Sequence, residues 1–171
     1  MKLVISALDD MRAFHGKVSH LISIIDPEDV TYVAALGLSP DRRLLLTCHD
    51  VESVAEAKAR ERDFPGSRCS APTSAMVRKA LGFARSLSDE DTLLIHCGHG
   101  ISRSTAVAFA ILCQASPKSS EDLLFQELLK LRPQACPNTL IIKIAEKLLK
   151  REGKMTRAIT AHSLKGKDRR L

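Results

Sequence analysis

The chain of 171 residues contains no tryptophan and one tyrosine, and aromatic residues make up only 4% of it. A hydrophobic core must therefore rest on aliphatic side chains, which the 44% hydrophobic content supplies for a domain of this length without disulfides. The five cysteines are an odd number at irregular spacing, with no Cys-x-x-Cys pair. This pattern argues against a disulfide framework and against a zinc site, and it favours reduced thiols.

Long hydrophobic runs are also absent from the sequence. The first eight residues are largely apolar, but Asp9 and Asp10 follow at once, which is the wrong flank for a signal peptide. No stretch approaches the roughly 20 apolar residues of a transmembrane helix. We therefore expect no transmembrane segment and a cytoplasmic location.

An excess of positive charge is confined to one end of the chain. The whole sequence carries a net charge of +6, and residues 150–171 alone contain eight basic and two acidic residues, so residues 1–149 are neutral by count. We predict a single domain over residues 1–160 and a flexible basic tail over residues 161–171. An alternative is that this tail contacts an acidic partner, and nothing in the sequence requires nucleic acid.

One segment combines a cysteine, two glycines and an arginine between a strand-like and a helix-like run. It reads His96-Cys97-Gly98-His99-Gly100-Ile101-Ser102-Arg103-Ser104, so five residues separate the cysteine from the arginine. The preceding residues 92–95 form a short, largely apolar run of strand length, and residues 105–113 are apolar on almost every side, as in a buried helix. The pattern predicts a tight loop between a strand and a helix N-terminus.

Such a loop is suited to bind a phosphoryl group beside a nucleophile. Its N–H groups and the helix N-terminus direct positive partial charge into one concavity, and glycines allow close approach of the backbone. Arg103 offers a planar fork that matches two phosphoryl oxygens. The positive surroundings favour the nucleophilic thiolate of Cys97, to which Ser104 can donate its hydroxyl. We expect His96 to hold the loop from behind by hydrogen bonds rather than to act as a base.

These residues resemble the phosphate-binding loop of the protein tyrosine phosphatase superfamily, where His-Cys precedes five residues and Arg-Ser or Arg-Thr. The likeness extends along residues 1–160, through segments 18–25, 44–50, 100–106 and 132–138. They look like the compact dual-specificity-like phosphatases, and more closely like a bacterial group of short single-domain proteins. The resemblance implies two-step hydrolysis of a phosphorylated protein or peptide through a cysteinyl-phosphate, without metal or cofactor. It also implies that the phosphate is held by the loop residues, namely Gly98, His99, Gly100, Ile101, Ser102 and Arg103.

This mechanism requires a general acid, and two aspartates upstream of Cys97 are candidates. Asp50 directly follows the apolar run 44–46, at the expected end of a strand, and lies 47 residues before Cys97. That separation is longer than in the compact relatives, so an inserted polar helix over residues 52–60 must be assumed. Asp63 lies 34 residues before Cys97, the usual separation, but within a run that is typical of a solvated surface. We favour Asp50 and keep Asp63 as the alternative.

Three further residues have a functional and a structural interpretation. Asn138 matches a position that supports the loop from behind in the resembled family, and it is equally suited to cap a helix. Cys48 could trap oxidised Cys97 as a disulfide, although a small apolar strand residue is the favoured interpretation. His99 is expected at the rim of the loop. A metal site at His49 and Asp50 is disfavoured, because the other histidines show no helical i, i+4 pairing.

The order of elements predicts the fold. Strands are expected at 2–7, 18–25, 43–48 and 92–95, with a short helical connection at 9–15 and helices at 26–35, 73–87, 120–131 and 137–150. Strands that alternate with helices indicate an α/β fold with a central, mostly parallel sheet of four to five strands flanked by helices, as in the resembled phosphatases. The cysteine would lie at the carboxyl end of a strand, where such sheets bind ligands.

Three functions remain open at this point. The first is a phosphatase acting on phosphotyrosine, with or without phosphoserine and phosphothreonine. The second is a phosphate-binding module without an effective acid. The third is a redox or sulfur-transfer use of Cys97.

Overall fold

The computed structural model describes residues 1–32 and 36–168, without the side chains of residues 32 and 163–168. Four strands form one sheet: β1 (Lys2–Ala7), β2 (His20–Ile25), β3 (Arg43–Thr47) and β4 (Thr92–Cys97). All pairings are parallel and the strand order is β1-β4-β2-β3. The predicted α/β fold with a parallel sheet is therefore confirmed, with four strands.

Six α-helices accompany the sheet, and they begin largely where capping residues predict. They are α1 (Val54–Asp63), α2 (Ser74–Arg85), α3 (Arg103–Ala115), α4 (Glu121–Leu131), α5 (Thr139–Leu149) and α6 (Lys154–Asp168). Four of the helices have an N-cap side chain that accepts a hydrogen bond from the third residue after it, at Ser53, Thr73, Ser120 and Asn138. The predicted inserted helix is present as α1.

The two faces of the sheet are covered differently. Alternate strand residues such as Ile22 and Ile95 share one core cluster with buried residues of α2 to α6. Their neighbours Leu21 and Leu94 pack on the other face against Met11, which lies on a connection rather than on an α-helix. Helices from α2 to α6 thus share one face, and irregular connections cover the other. This places β4 in the interior of the molecule.

Two regions differ from their predicted structure. Residues Pro27–Tyr32 form a 3-10 helix instead of the start of an α-helix to residue 35, whose last three positions lie outside the described residues. Asp26-Pro27 signals the start of a helical turn, but it does not distinguish the tighter 3-10 form from an α-helix.

At the other end, α6 extends to Asp168 and so enters the segment predicted as a tail. It is anchored by the buried side chains of Met155 and Ala158. Residues 169–171 lie outside the described part of the chain. The flexibility of the tail stays a prediction.

Candidate active site

The Cys97–Arg103 loop joins β4 to α3 at the carboxyl edge of the sheet. Cys97 is the last residue of β4 and is only 2% exposed, while Arg103 begins α3 and is 6% exposed. Because β4 lies between β1 and β2, its carboxyl end is flanked by the segments that follow both neighbours. The cysteine therefore lies buried at an inner position of the carboxyl edge and not at the side of the sheet.

The backbone of this loop turns its carbonyl groups outward. Each carbonyl of the four central loop residues accepts a hydrogen bond from outside: His99 and Gly100 from the Arg132 guanidinium at 3.1 and 3.0 Å, Ile101 from the Cys136 N–H at 2.9 Å, and Ser102 from the Asn138 N–H at 3.3 Å. Within residues 1–32 and 36–168, no N–H of these four residues donates to a protein acceptor. Their N–H groups are thus available to an anion inside the loop.

Gly100 meets a steric condition that only glycine satisfies. Its φ is +69°, and a Cβ there would lie 2.5 Å from the backbone oxygen of Ser6 on β1. Gly98 differs, because the nearest atom to its added Cβ would be Arg103 Nη2 at 3.8 Å. Gly100 is therefore required for the loop to pack against β1.

Two polar side chains flank Cys97. The Ser104 hydroxyl lies 3.2 Å from the Cys97 sulfur on the α3 side. His96 is fully buried on the opposite face of β4, where its Nε2 lies 2.7 Å from the Ser23 hydroxyl on β2. Burial lowers the pKa of His96 to about 4, so this imidazole is neutral at physiological pH. The hydrogen bond of His96 goes to β2 and not to a loop residue, so the predicted support of the loop by His96 stays a prediction.

The hydrogen bonds of the Arg103 guanidinium to the protein are made by Nη1. Its Nη1 donates to the Asp26 carboxylate and to the Cys48 carbonyl, both at 2.5 Å. Its Nε is buried and has no hydrogen-bond partner in the described part of the chain. Nε also forms an ion pair with Asp50 Oδ2, at 3.9 Å.

Of the two candidate acids, only Asp50 contacts the loop. Its Oδ1 accepts hydrogen bonds from the Ser102 hydroxyl at 2.7 Å and from the Asn138 amide at 2.9 Å. Its side chain remains 39% exposed. Asp63 ends α1 on the surface, where its carboxylate pairs with Arg62 at 3.1 Å. The structure thus brings Asp50, Arg103 and Cys97 together, and records no contact between Asp63 and this group.

Asn138 connects the loop with the segment that carries Asp50. Its side-chain oxygen caps α5 by accepting from the Ile141 N–H at 3.0 Å, while its amide nitrogen donates to Asp50 and to the Val51 carbonyl. The capping and the supporting interpretation of Asn138 are therefore compatible in one side chain. His99, in contrast, is exposed on the outside of the loop.

Sequence reasoning missed three contributors to the site. From the sequence, Asp26 is only the first residue of a predicted helix, and Arg132 is only part of the segment 132–138. His49 was considered only as a metal ligand, but its Nε2 pairs with Glu28 at 3.1 Å and its Nδ1 accepts from the Ser70 N–H at 2.9 Å. For Asp26 the available signal was its position directly after an apolar strand, the same signal that selected Asp50.

The sheet order argues against a direct disulfide between Cys48 and Cys97. Cys48 follows β3 and Cys97 ends β4, and β2 lies between these strands. Two strand spacings place the axes of β3 and β4 about 10 Å apart. A disulfide bridges Cα atoms that are at most about 7 Å apart, so this bond would require rearrangement after β3. Burial also raises the pKa of Cys48 to about 11, which disfavours its thiolate.

Among residues 1–32 and 36–168, no group of three or more histidine, cysteine or acidic side chains is arranged to hold a metal ion. Within the same residues, no helix has the length and apolar character needed to cross a membrane.

The fold matches that of protein tyrosine phosphatase and dual-specificity phosphatase structures. PTPMT1 in complex with PI(5)P superposes with a TM-score of 0.63 at 18% identity, covering 95% of this chain and 94% of that chain. The PTP-2 phosphatase of Cydia pomonella gives 0.60 at 19% identity, over 86% and 85% of the two chains. Human DUSP28 gives 0.54 at 16% identity, over 86% and 88%.

No family model matches the sequence, and no curated protein sequence matches it. The similarity to solved structures therefore extends to the fold of cysteine-based phosphatases, and the activity must be argued from this chain's own residues.

Proposed function

We propose that this protein is a cysteine-dependent phosphatase that hydrolyses phosphotyrosine in a protein or peptide, with phosphoserine and phosphothreonine as further substrates to be tested. One observation carries the proposal. The buried Cys97 sulfur lies in a loop whose central N–H groups and Arg103 Nε have no hydrogen-bond partner among residues 1–32 and 36–168. A phosphoryl group would satisfy these donors and bring its phosphorus to the sulfur.

The first step transfers the phosphoryl group to the enzyme. The Cys97 thiolate attacks phosphorus and the bond to the substrate oxygen breaks, while Asp50 gives that oxygen a proton. The loop N–H groups and Arg103 stabilise the charge that develops on the three phosphoryl oxygens. The products of this step are a free hydroxyl and a cysteinyl-phosphate.

The second step returns the enzyme to its starting form. Asp50, now a carboxylate, takes a proton from a water molecule that attacks phosphorus, and the bond between sulfur and phosphorus breaks. The Ser104 hydroxyl, 3.2 Å from the sulfur, stabilises the leaving thiolate by donating a hydrogen bond. Inorganic phosphate leaves and Asp50 is protonated again.

Hydrolysis of a generic aryl phosphate tests this proposal. We expect measurable turnover by the wild type, inhibition by vanadate and loss of turnover in Cys97→Ser. Cys136→Ser is the matched control, because Cys136 is exposed and its hydrogen bond to the loop comes from its backbone N–H, which the substitution keeps. Equal turnover by Cys97→Ser and the wild type would contradict the proposal.

A second candidate is a phosphate-binding module with little turnover. The observation in its favour is that both carboxylate oxygens of Asp50 contact the protein, Oδ1 by accepting from Ser102 and Asn138 and Oδ2 by pairing with Arg103 Nε at 3.9 Å, so that neither is turned towards a leaving group. Phosphopeptide binding without aryl phosphate hydrolysis would select this function.

A further inference from the structure

The segment that follows β2 supplies Asp26, whose carboxylate contacts Arg103 across 77 residues of sequence. Arg103 Nη1 is held at two points on one side, by Asp26 Oδ1 and by the Cys48 carbonyl. The side chain of Arg103 is only 7% exposed, whereas that of Asp26 is 32% exposed. The contact therefore fixes a buried guanidinium from its outer side.

The opposite side of the same guanidinium faces the loop. Nε is buried without a hydrogen-bond partner in the described residues, and Nη2 lies over Gly98, 3.8 Å from the position of a Cβ on that glycine. A guanidinium is planar, so fixing Nη1 also sets the direction of the Nε and Nη2 donors. These two donors form the pair that can bind two oxygens of one phosphoryl group.

We propose that Asp26 is a positioning residue for Arg103: its carboxylate holds Nη1 so that the Nε and Nη2 donors face an anion in the Cys97–Arg103 loop. This proposal rests on the proposed function only in taking a phosphoryl-type anion as the ligand. Asp26 itself does not touch the anion, because it binds the nitrogen that points away from the loop.

The negative charge of Asp26, taken alone, would weaken the binding of an anion, whereas positioning of Arg103 would strengthen it. A carboxylate beside Arg103 reduces the positive charge of the site, so its removal should strengthen the binding of a phosphate dianion. Positioning predicts weaker binding, because a guanidinium without its anchor must lose rotational freedom when the anion binds. The sign of the change therefore separates the two effects.

Binding of inorganic phosphate to the full chain, measured by titration calorimetry at constant pH, tests the proposal. We expect Asp26→Ala to weaken phosphate binding by about tenfold or more. Asp26→Asn should weaken it less, because the amide keeps an oxygen that accepts from Nη1. Asp29→Asn is the matched control, since it removes the same charge three residues away and its side chain makes no hydrogen bond in residues 1–32 and 36–168.

Phosphate binding by Asp26→Ala and Asp26→Asn that equals or exceeds that of the wild type would overturn the proposal. If the wild type does not bind phosphate, both the positioning proposal and the proposal that the loop binds phosphate are overturned. If the wild type binds phosphate and does not hydrolyse aryl phosphate, the proposed hydrolysis fails while the Asp26 comparison still decides the positioning. If Asp26→Ala does not fold, phosphate binding by Asp26→Asn decides the question, because the asparagine side chain keeps an oxygen that accepts from Nη1.

In active enzyme, a positioning effect also appears in the kinetics of aryl phosphate hydrolysis. Asp26→Asn should raise KM and the inhibition constant for phosphate by similar factors, because both report how well Arg103 holds the anion. A change in unfolding midpoint with unchanged KM would indicate a structural role only and would overturn the proposal.

Discussion

At the scale of single residues, the conformation of the loop depends on a few close contacts that a substitution would disrupt. Gly100 lies against the backbone of β1, and the carbonyls beside it are tied to Arg132. These contacts hold the peptide groups in the orientation that leaves their N–H groups free. Whether the loop can bind an anion therefore depends on these individual residues.

Replacement of Gly100 tests the shape of the loop. In Gly100→Ala the added Cβ would meet the Ser6 carbonyl at 2.5 Å at a φ of +69°, so the loop must shift. We expect a loss of about 2 kcal/mol or more in the free energy of unfolding, together with loss of phosphate binding. The measurements are urea unfolding and phosphate titration. Gly98→Ala is the control and should be much milder; an equally stable Gly100→Ala would contradict this account.

The buried imidazole of His96 predicts how stability depends on pH. Its pKa is lowered from 6.5 to about 4, so the unfolded chain binds a proton in this interval that the folded protein does not. The stability due to neutral His96 is present above pH 6.5 and is lost as the pH falls to 4, by about 3 kcal/mol in total. Urea unfolding at pH 7 and pH 4.5 should show most of this loss in the wild type and not in His96→Gln. An equal loss of unfolding free energy in the wild type and in His96→Gln would contradict this prediction. Replacement of the exposed His99 in His99→Gln serves as control.

At the scale of elements, the segment after β3 carries the candidate acid and is fixed on several sides. His49 pairs with Glu28 after β2 and exchanges two hydrogen bonds with the backbone of Ser70. Asn138 holds the next residues, Asp50 and Val51, from the start of α5. Three segments of the chain, after β2, between α1 and α2, and before α5, thus contact one short segment, which keeps Asp50 beside the loop.

The pH dependence of aryl phosphate hydrolysis distinguishes the two candidate acids. Asp50→Asn should lower kcat by roughly a hundredfold or more and remove the decrease of rate at high pH, because the proton donor is lost. Asp63→Asn should keep the wild-type profile, since its carboxylate pairs with Arg62 on the surface of α1. Loss of the basic limb in Asp63→Asn, or its retention in Asp50→Asn, would reverse the assignment.

The sequence was sufficient to predict the strands and most helices, because apolar runs and capping residues are local signals. The type of helix after Asp26 was not predictable, since the same cap and proline precede α and 3-10 turns. The start of α6 was missed because its sequence is largely polar and charged, and its burial of Met155 depends on packing against other helices.

The site was predictable where its residues are neighbours in sequence, from His96 to Ser104. The partners of Arg103 were less accessible, because Asp26 and the Cys48 carbonyl are 77 and 55 residues away from it. Only the parallel pairing of β2 with β3 and β4 brings these segments to one edge.

At the scale of the whole molecule, the positive charge lies apart from the loop in sequence. Residues 1–149 are neutral by count, and all of the net charge of +6 lies in residues 150–171. Under the proposed function, the loop at Cys97 therefore binds an anion through its local donors and not through a general basic field. This distribution predicts that the end of the chain is separable from catalysis.

Truncation after His162 tests this separation. It keeps Met155, Ala158 and the contact of the His162 ring with Phe125 at 5.2 Å, and it removes four basic residues and one acidic residue. We expect kcat/KM for aryl phosphate and binding to anionic vesicles and nucleic acid to be unchanged. Loss of vesicle or nucleic acid binding would instead show that the tail contacts an acidic partner.

The central claim is that phosphoryl transfer passes through Cys97, and a rapid-quench experiment on Ser104→Ala tests it most directly. Without the hydroxyl 3.2 Å from the sulfur, breakdown of the cysteinyl-phosphate should become slower than its formation. The account predicts a burst of one equivalent of aryl alcohol and one phosphoryl group on the peptide that contains Cys97. Continued turnover of aryl phosphate with no burst and no phosphorylated Cys97 would contradict it.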